Sequence, residues 1–531
     1  MKQQIKSKIR DNMAKTIVIV FAVLWFDSCK KTFETEFAEA DPICNTSNAV
    51  MVLGKKLNNP YSLENMRRAY ESLRPQTRAD NDAETFVTST HRYVKFLPHN
   101  EEELSLLKRD TSLVLYQYPL DYEILSYGGY HDPSVPEGEP TPLYCSVPIN
   151  KPLPESIESV VLAELYIPEE LPKELTRSDS GIDEDFLDAL VTKAFELTGN
   201  EYKQEGSTRG SKSEWIPQGS VKYYDNVLGK ECPIEGLEVR CHRWFTTYKA
   251  YTDSQGRFRC KSNETFKNPA TYSIYYERYD FEIRDFLLST ATYDGPQISG
   301  AWDVNFARDD RQTYYSTIFR AAFKYYYQDI HGLSRPPLNS LWKTQLKILA
   351  SMENRDDCDG YHSSALRFLG LGSQIHIYSN KRNLDQTFAT TIHELAHAAH
   401  WGLYKSDYNH ASDFVKESWS RGVQLFLTQD VYPLYNIYSY STVSYTGIIR
   451  DLMDGVGLIK VAYYYFEKDK YYQYTIAKSY TDYVTGYTMP QIESSLEGAR
   501  TADDWKTNLK TMYKNETESQ LDDAFTFWSI K

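Results

Sequence analysis

Positive charge is in short supply. Lysine and arginine number 59 against 73 aspartate and glutamate, a net charge of −14. Nucleic-acid phosphates need a basic footprint, so this balance argues against a nucleic-acid partner. Cysteine is scarce too, with 7 residues and no CxxC pair, so a cysteine-built zinc site is not expected. A long apolar run is missing near the start. The stretch from Thr16 to Phe26 is about half of the roughly 20 residues that a permanent transmembrane helix needs. The proportions argue against disorder: 41% hydrophobic and 25% charged residues describe a folded chain. At 531 residues it is too long for one ordinary core, and about two to four domains are expected.

Tyrosine is plentiful, at 44 residues. It suits packing and strands, and equally a platform for sugar or peptide. At the N-terminus Lys2, Lys6, Lys8, Arg10 and Lys15 precede the apolar run, the order found in a secretory signal peptide. The run closes on Ser28-Cys29-Lys30-Lys31. A small residue before such a cysteine resembles a bacterial lipobox, and the trailing lysines resemble lipoproteins of Bacteroidota. Phe26 and Asp27 depart from the usual leucine and small residue. The resemblance implies a signal peptide over 1–28, a lipid on Cys29 that attaches the chain to a membrane, and a place in the cell envelope, at the outer membrane or cell surface. An uncleaved anchor with an incidental cysteine is the alternative. The mature chain is extracytoplasmic in both cases. Six cysteines then remain, an even number that permits disulfides outside the cytoplasm.

Residues 29–60 read as a tether and 61–210 as an α+β module. Strands are expected at His91–Leu97, Leu113–Tyr118, Leu143–Ile149 and Val160–Ile167, and helical spacing at Asp185–Leu197. Asn100 reads as a helix cap, with Glu103 closing a capping box. Gln204 to Ser213 is polar enough for a linker. A β segment over 211–295 follows. In it Thr252-Asp253-Ser254-Gln255-Gly256-Arg257-Phe258 reads as a turn between strands, Gly256 supplying positive φ. This turn resembles that of the carboxypeptidase regulatory-like β-sandwich, a spacer or binding module. Cys241 and Cys260 lie on the apolar phase of neighbouring strands and could pair. From about Ala301 the pattern turns helical, with Ile318, Phe319, Phe323, Tyr326 and Ile330 on one face before Gly332. Thr501 and Asp504 form a further capping box, and 518–528 is amphipathic.

The string that carries chemistry is Thr391-Ile392-His393-Glu394-Leu395-Ala396-His397-Ala398-Ala399-His400. HExxH on a helix sets two imidazoles one turn apart on one face, which suits two ligands of a tetrahedral zinc. The glutamate between them is placed to take a proton from a water that the metal activates. Asp385 is the expected N-cap, and the helix should run to about Trp401. His400 shares the face of His393, yet seven residues rise roughly 10.5 Å, too far for one ion to reach. Leu403 stands where metzincins place their third histidine. Glu417 opens a second helical pattern that runs to about Leu427, with residues 398 to 416 between it and His397. That arrangement resembles the gluzincins, and the spacing is similar to that of thermolysin-like enzymes. It implies Glu417 as third ligand. Arg421 replaces the family's acidic residue four positions on, and the alternative for Glu417 is a surface pair with Arg421. Asp407, His410 and Asp413 are weaker candidates.

The strand Gln374–Tyr378 precedes the helix; the family comparison implies an edge strand that binds substrate backbone. Tyr404, Tyr408, His410 and Tyr445 are open candidates for the oxyanion donor. Met352-Glu353-Asn354 is read as a chance likeness to an aminopeptidase anchor at a helix end, and 356–360 as a solvated turn.

The expectation is therefore an α+β multidomain chain ending in a mostly helical, zincin-like domain over 296–531. Its activity would be zinc-dependent hydrolysis of peptide or protein substrates, with Glu394 as base and zinc on His393, His397 and Glu417. A surface lipoprotein that captures glycan or protein through a degenerate zincin domain is the alternative.

Overall fold

The computed structural model describes residues 51–529 except 75–81, 127–129, 131, 136–140, 172–183, 202–213, 286–288, 308–310, 340–343, 356–357, 370–371, 381, 437–443, 455–456, 462–464, 468–469 and 473–477. Cys29, the expected leader, most of the expected tether, the 204–213 segment read as a linker and part of the 356–360 stretch lie outside them. The fold is mixed α and β, with several sheets. The described chain divides into two compact units, 51–224 with 231–316, and 225–230 with 317–529. Among the described residues no helix is long and apolar enough to cross a membrane.

The first unit holds the α+β module and the β segment. His91–Phe96 is the centre of a three-stranded antiparallel sheet between Leu143–Pro148 and Ser159–Leu165. Alternation gives this sheet two buried faces. Tyr93, with Tyr144 and Leu165, packs on helices Leu63–Leu73 and Glu184–Thr198 through Met66, Tyr70, Leu190 and Phe195. Val94 and Phe96, on the other face, meet Leu104 and Leu107 of helix Glu101–Arg109. Asn100 caps that helix by accepting from Glu103 N–H at 2.9 Å. The return bond goes to His99 N–H, one residue earlier than a capping box requires. The strand expected at Leu113–Tyr118 is one bridge, Tyr116 to Tyr144. Its hydrophobics are buried as loop packing, which periodicity cannot distinguish from a strand.

Within 218–306 two sheets face each other. Ala270–Tyr275 lies between Glu238–Arg243 and Thr292–Ile298, with Thr246–Tyr251 outermost. Gln218–Asp225 lies between Arg257–Arg259 and Trp302–Phe306. Tyr272 of the first sheet packs on Trp302 (centroids 5.3 Å apart) and Phe258 (5.9 Å) of the second. The turn at 253–257 closes with Gly256 N–H on Asp253 O and Asp253 N–H on Arg257 O, both 2.8 Å. Gly256 has φ +74°, and a Cβ there would lie 2.5 Å from Val221 O, so only glycine fits. Cys241 and Cys260 are buried free thiols. The region expected to become helical at Ala301 opens instead with Trp302–Phe306, whose partner lies some eighty residues back at 219–223. Such a pairing leaves no local signal.

Helix Arg311–Tyr327 carries Ile318, Phe319, Phe323 and Tyr326 as buried residues; Ile330 is buried beyond its end. In the second unit Ile375–Tyr378 pairs in parallel with Leu346–Ser351 and antiparallel with Gly360–His362. It is therefore not an edge strand. The three-residue Gly360–His362, too short to show periodicity, is the edge on that side among the described residues. Met352-Glu353-Asn354 follows a strand, not a helix. Helix Leu384–His410 begins at Asn383, whose N–H is bonded by Gln386 at 3.3 Å, so Asn383 is the cap and Asp385 lies inside the first turn. It runs nine residues beyond Trp401, with a break at Tyr404 (φ −126°, ψ 27°). Helix Asp413–Gln429 packs back along it. Thr501 and Asp504 form the expected box at helix Ala502–Met512, and Leu521–Trp528 is the last helix.

Candidate metal centre

The HExxH stretch is buried throughout. His393 and His397 are 4% exposed, Glu394 1% and Glu417 2%. Polar groups reach such a position only with partners. His393 Nε2, His397 Nε2 and Glu417 Oε2 supply them to one another, at 3.1 Å between the imidazoles and 3.2 and 3.3 Å to the carboxylate. The edge of a tetrahedron with bonds of 2.0–2.1 Å is about 3.3 Å, so the triangle has the size of one face of a metal site.

The hydrogen bonds behind the histidines identify what points inward. Gln424 Nε2 donates to Tyr435 Oη at 3.0 Å, which leaves Gln424 Oε1 to accept from His393 Nδ1 at 3.1 Å. With its proton on Nδ1, His393 turns the Nε2 lone pair toward the Glu417 carboxylate. Tyr408 Oη stands 3.2 Å behind His397 Nδ1. A lone pair facing a carboxylate is repulsive unless a proton or a metal ion lies between. The three residues therefore form a donor set that can hold a metal ion. A proton on the imidazoles acts in the same sense as a metal: burial alone would raise the Glu417 carboxyl, and His397 and His393, when protonated, hold it well below the usual range.

Each expected site residue has a definite place. His393 and His397 face Glu417 across two packed helices, and Glu417 is buried, not at the surface. Arg421 is buried and donates to Tyr445 O at 2.9 Å. His400 stays outside the triangle, packed on Tyr408 with centroids 5.0 Å apart; burial, then His397 and Lys416, push its pKa down to about 3. Asp407 pairs with Arg500, Asp413 with Lys416, and His410 bonds Ser406 O. Of the oxyanion candidates, Tyr404 bonds Glu493 O and Tyr408 sits behind His397, while the Tyr445 ring stacks 5.9 Å from His393.

Two nearby groups, Gln424 and His362, were not read from the sequence, and Tyr408, read there as an oxyanion candidate, takes a different place. Gln424 follows Glu417 by two turns on the same face, a spacing that could have flagged it. Tyr408 is eleven residues past His397, about 16 Å along a straight helix; the break at Tyr404 turns its hydroxyl back. His362, on the edge strand, packs 6.2 Å from the Tyr408 ring, and burial, then Arg367 and His397, hold it well below its ordinary pKa.

No protein-family profile and no curated protein matches this chain. Among solved structures, the crystal structure of (S)-allantoin synthase aligns with 23% of the chain at 14% identity, with a TM-score of 0.13. The chain spans only half of that structure's length. So slight a likeness carries no argument about fold or chemistry, and the site is interpreted from its own geometry.

Removing the support behind His393 is the mildest test of the centre. Gln424→Ala should weaken metal affinity roughly 10–100-fold without unfolding the chain, the usual cost of a lost outer-shell partner. Competition with a chelator of known affinity measures it; unchanged affinity would show that Gln424 does not orient the ligand.

Proposed function

We propose that the protein is a zinc metallopeptidase, held outside the cytoplasm by a lipid on Cys29. The observation that carries this reading is the buried triangle of His393, His397 and Glu417, with Glu394, also buried, next to His393 in the chain. Two neutral imidazoles and one carboxylate are nitrogen and oxygen donors that suit zinc, and three protein ligands leave a fourth position open, as catalytic sites do. Zinc, when bound, lowers the pKa of water and polarises a carbonyl.

The chain's residues do the rest. Glu394 follows His393 by one residue and so points about 100° away round the helix, which keeps it from the ligand face. It receives the proton of the attacking water and returns it to the leaving amine. Gln424 and Tyr408 hold the two imidazoles in register. Gly360–His362, the end strand of its sheet among the described residues, packs against the HExxH helix, and its unpaired side is the place for an extended peptide to add. Peptide bonds are therefore the proposed substrate class.

The purified chain should carry about one zinc per molecule by metal analysis and cut members of a broad peptide library read by mass spectrometry. Absence of zinc, with none taken up on titration, refutes the reading. A zinc-loaded chain that cuts nothing favours a capture protein on a zincin scaffold.

A further inference from the structure

A second cluster lies away from the histidines in the same unit. Asp451 on helix Ile448–Met453, Asp454 at its C-cap and Asp482 at the end of strand Lys478–Asp482 bring one carboxylate oxygen each within 4.8 Å of one another. Asp451 and Asp482 are fully buried; Asp454 is exposed. Each buried carboxylate has one oxygen tied to donors. Asp451 Oδ2 accepts from Tyr480 Oη and Trp528 Nε1, both at 2.6 Å, and Asp482 Oδ1 accepts from Val484 N–H at 2.9 Å. The remaining oxygens, Asp451 Oδ1 and Asp482 Oδ2, are buried with no hydrogen-bond donor among the described residues. Among the described residues Arg450 stands 3.7 Å from Asp451 Oδ1 and 3.6 Å from Asp454 Oδ2, and one guanidinium does not balance three carboxylates.

We propose that Asp451, Asp454 and Asp482 bind a hard divalent cation, calcium in the first instance. Their donors are all oxygens, which hard cations prefer and which distinguishes this site from the histidine centre. Tyr480, Trp528 and Val484 fix the carboxylates from behind, as outer-shell donors do. Exposed Asp454 supplies an entry path and room for water ligands. The cation would fasten the far end of segment 444–454. The near end of that segment lies at the histidine centre: Thr446 Oγ1 bonds Ser418 Oγ at 2.7 Å, one residue after Glu417, and Tyr445 stacks on His393.

The test uses the full zinc-loaded chain and terbium as the probe. Trp528 donates to a ligand carboxylate, so its excitation should sensitise terbium emission that saturates and is displaced by calcium. Calcium at about 100-fold excess over its Kd should raise Tm by about 5 °C at pH 7.5. Asp482→Asn removes a buried charge and should keep the fold, raise the cation-free Tm and abolish both responses. His393→Ala should leave them intact. Emission that survives Asp482→Asn overturns the proposal. So does a chain with no terbium or calcium response whose Tm simply rises on acidification, since a shared proton would then close the cluster.

Discussion

Glu394→Gln should keep zinc occupancy and fold while peptidase activity falls at least about a hundredfold. Glutamine preserves size and hydrogen bonding and removes the base; a positioned general base contributes roughly 10²–10⁴ in rate, about 2.7 kcal/mol or more of barrier. Glu394 is 1% exposed, beside a ligand, so water outside the site is a poor substitute for it. Wild type and variant are compared on the same library, with zinc measured in both. Equal cleavage would place the activity elsewhere. Equal silence, with zinc in place, would favour capture over catalysis. Loss of zinc in the variant would make Glu394 a ligand and overturn its assignment as base.

Glu417→Ala should remove zinc almost wholly, a larger effect than the 10–100-fold expected at Gln424. Glu417 Oε2 closes the triangle at 3.2 and 3.3 Å from the two imidazoles, and it is the one anionic member. Two neutral imidazoles left alone cannot hold the ion against water and chelator. Glu417→Gln, nearly isosteric, separates loss of charge from loss of packing and should also bind weakly. His400→Ala is the contrasting variant. Its ring packs on Tyr408, outside the triangle, so zinc content should be unchanged. Retention of zinc without Glu417 and its loss without His400 would mean that the helix geometry has been misjudged.

What the sequence determined by itself was local. The histidine pair and its glutamate follow from one helical turn, because the separation of His393 and His397 is a property of the α-helix and needs no partner. Helix Glu184–Thr198, the strand at His91 and the glycine turn at Gly256 were legible for the same reason: spacing, period and positive φ are written within a few residues. Glu417 was legible only through a family's spacing, since helical geometry excludes His400 and does not choose a replacement.

The tertiary structure decided whatever joins distant residues. Glu417 meets the histidines because helix Asp413–Gln429 folds back on helix Leu384–His410, and Gln424 arrives with it two turns later. The break at Tyr404 sends Tyr408 behind His397, where an uninterrupted helix would carry it away. Strand Ile375–Tyr378 lost its edge to a three-residue neighbour, and Trp302–Phe306 became a strand through a partner at 219–223. The aspartates at 451, 454 and 482 carry no local motif, and packing alone places 451 and 482 where water cannot solvate them. Burial and partnership depend on chain segments far apart in sequence, and a local pattern carries no record of which segment arrives.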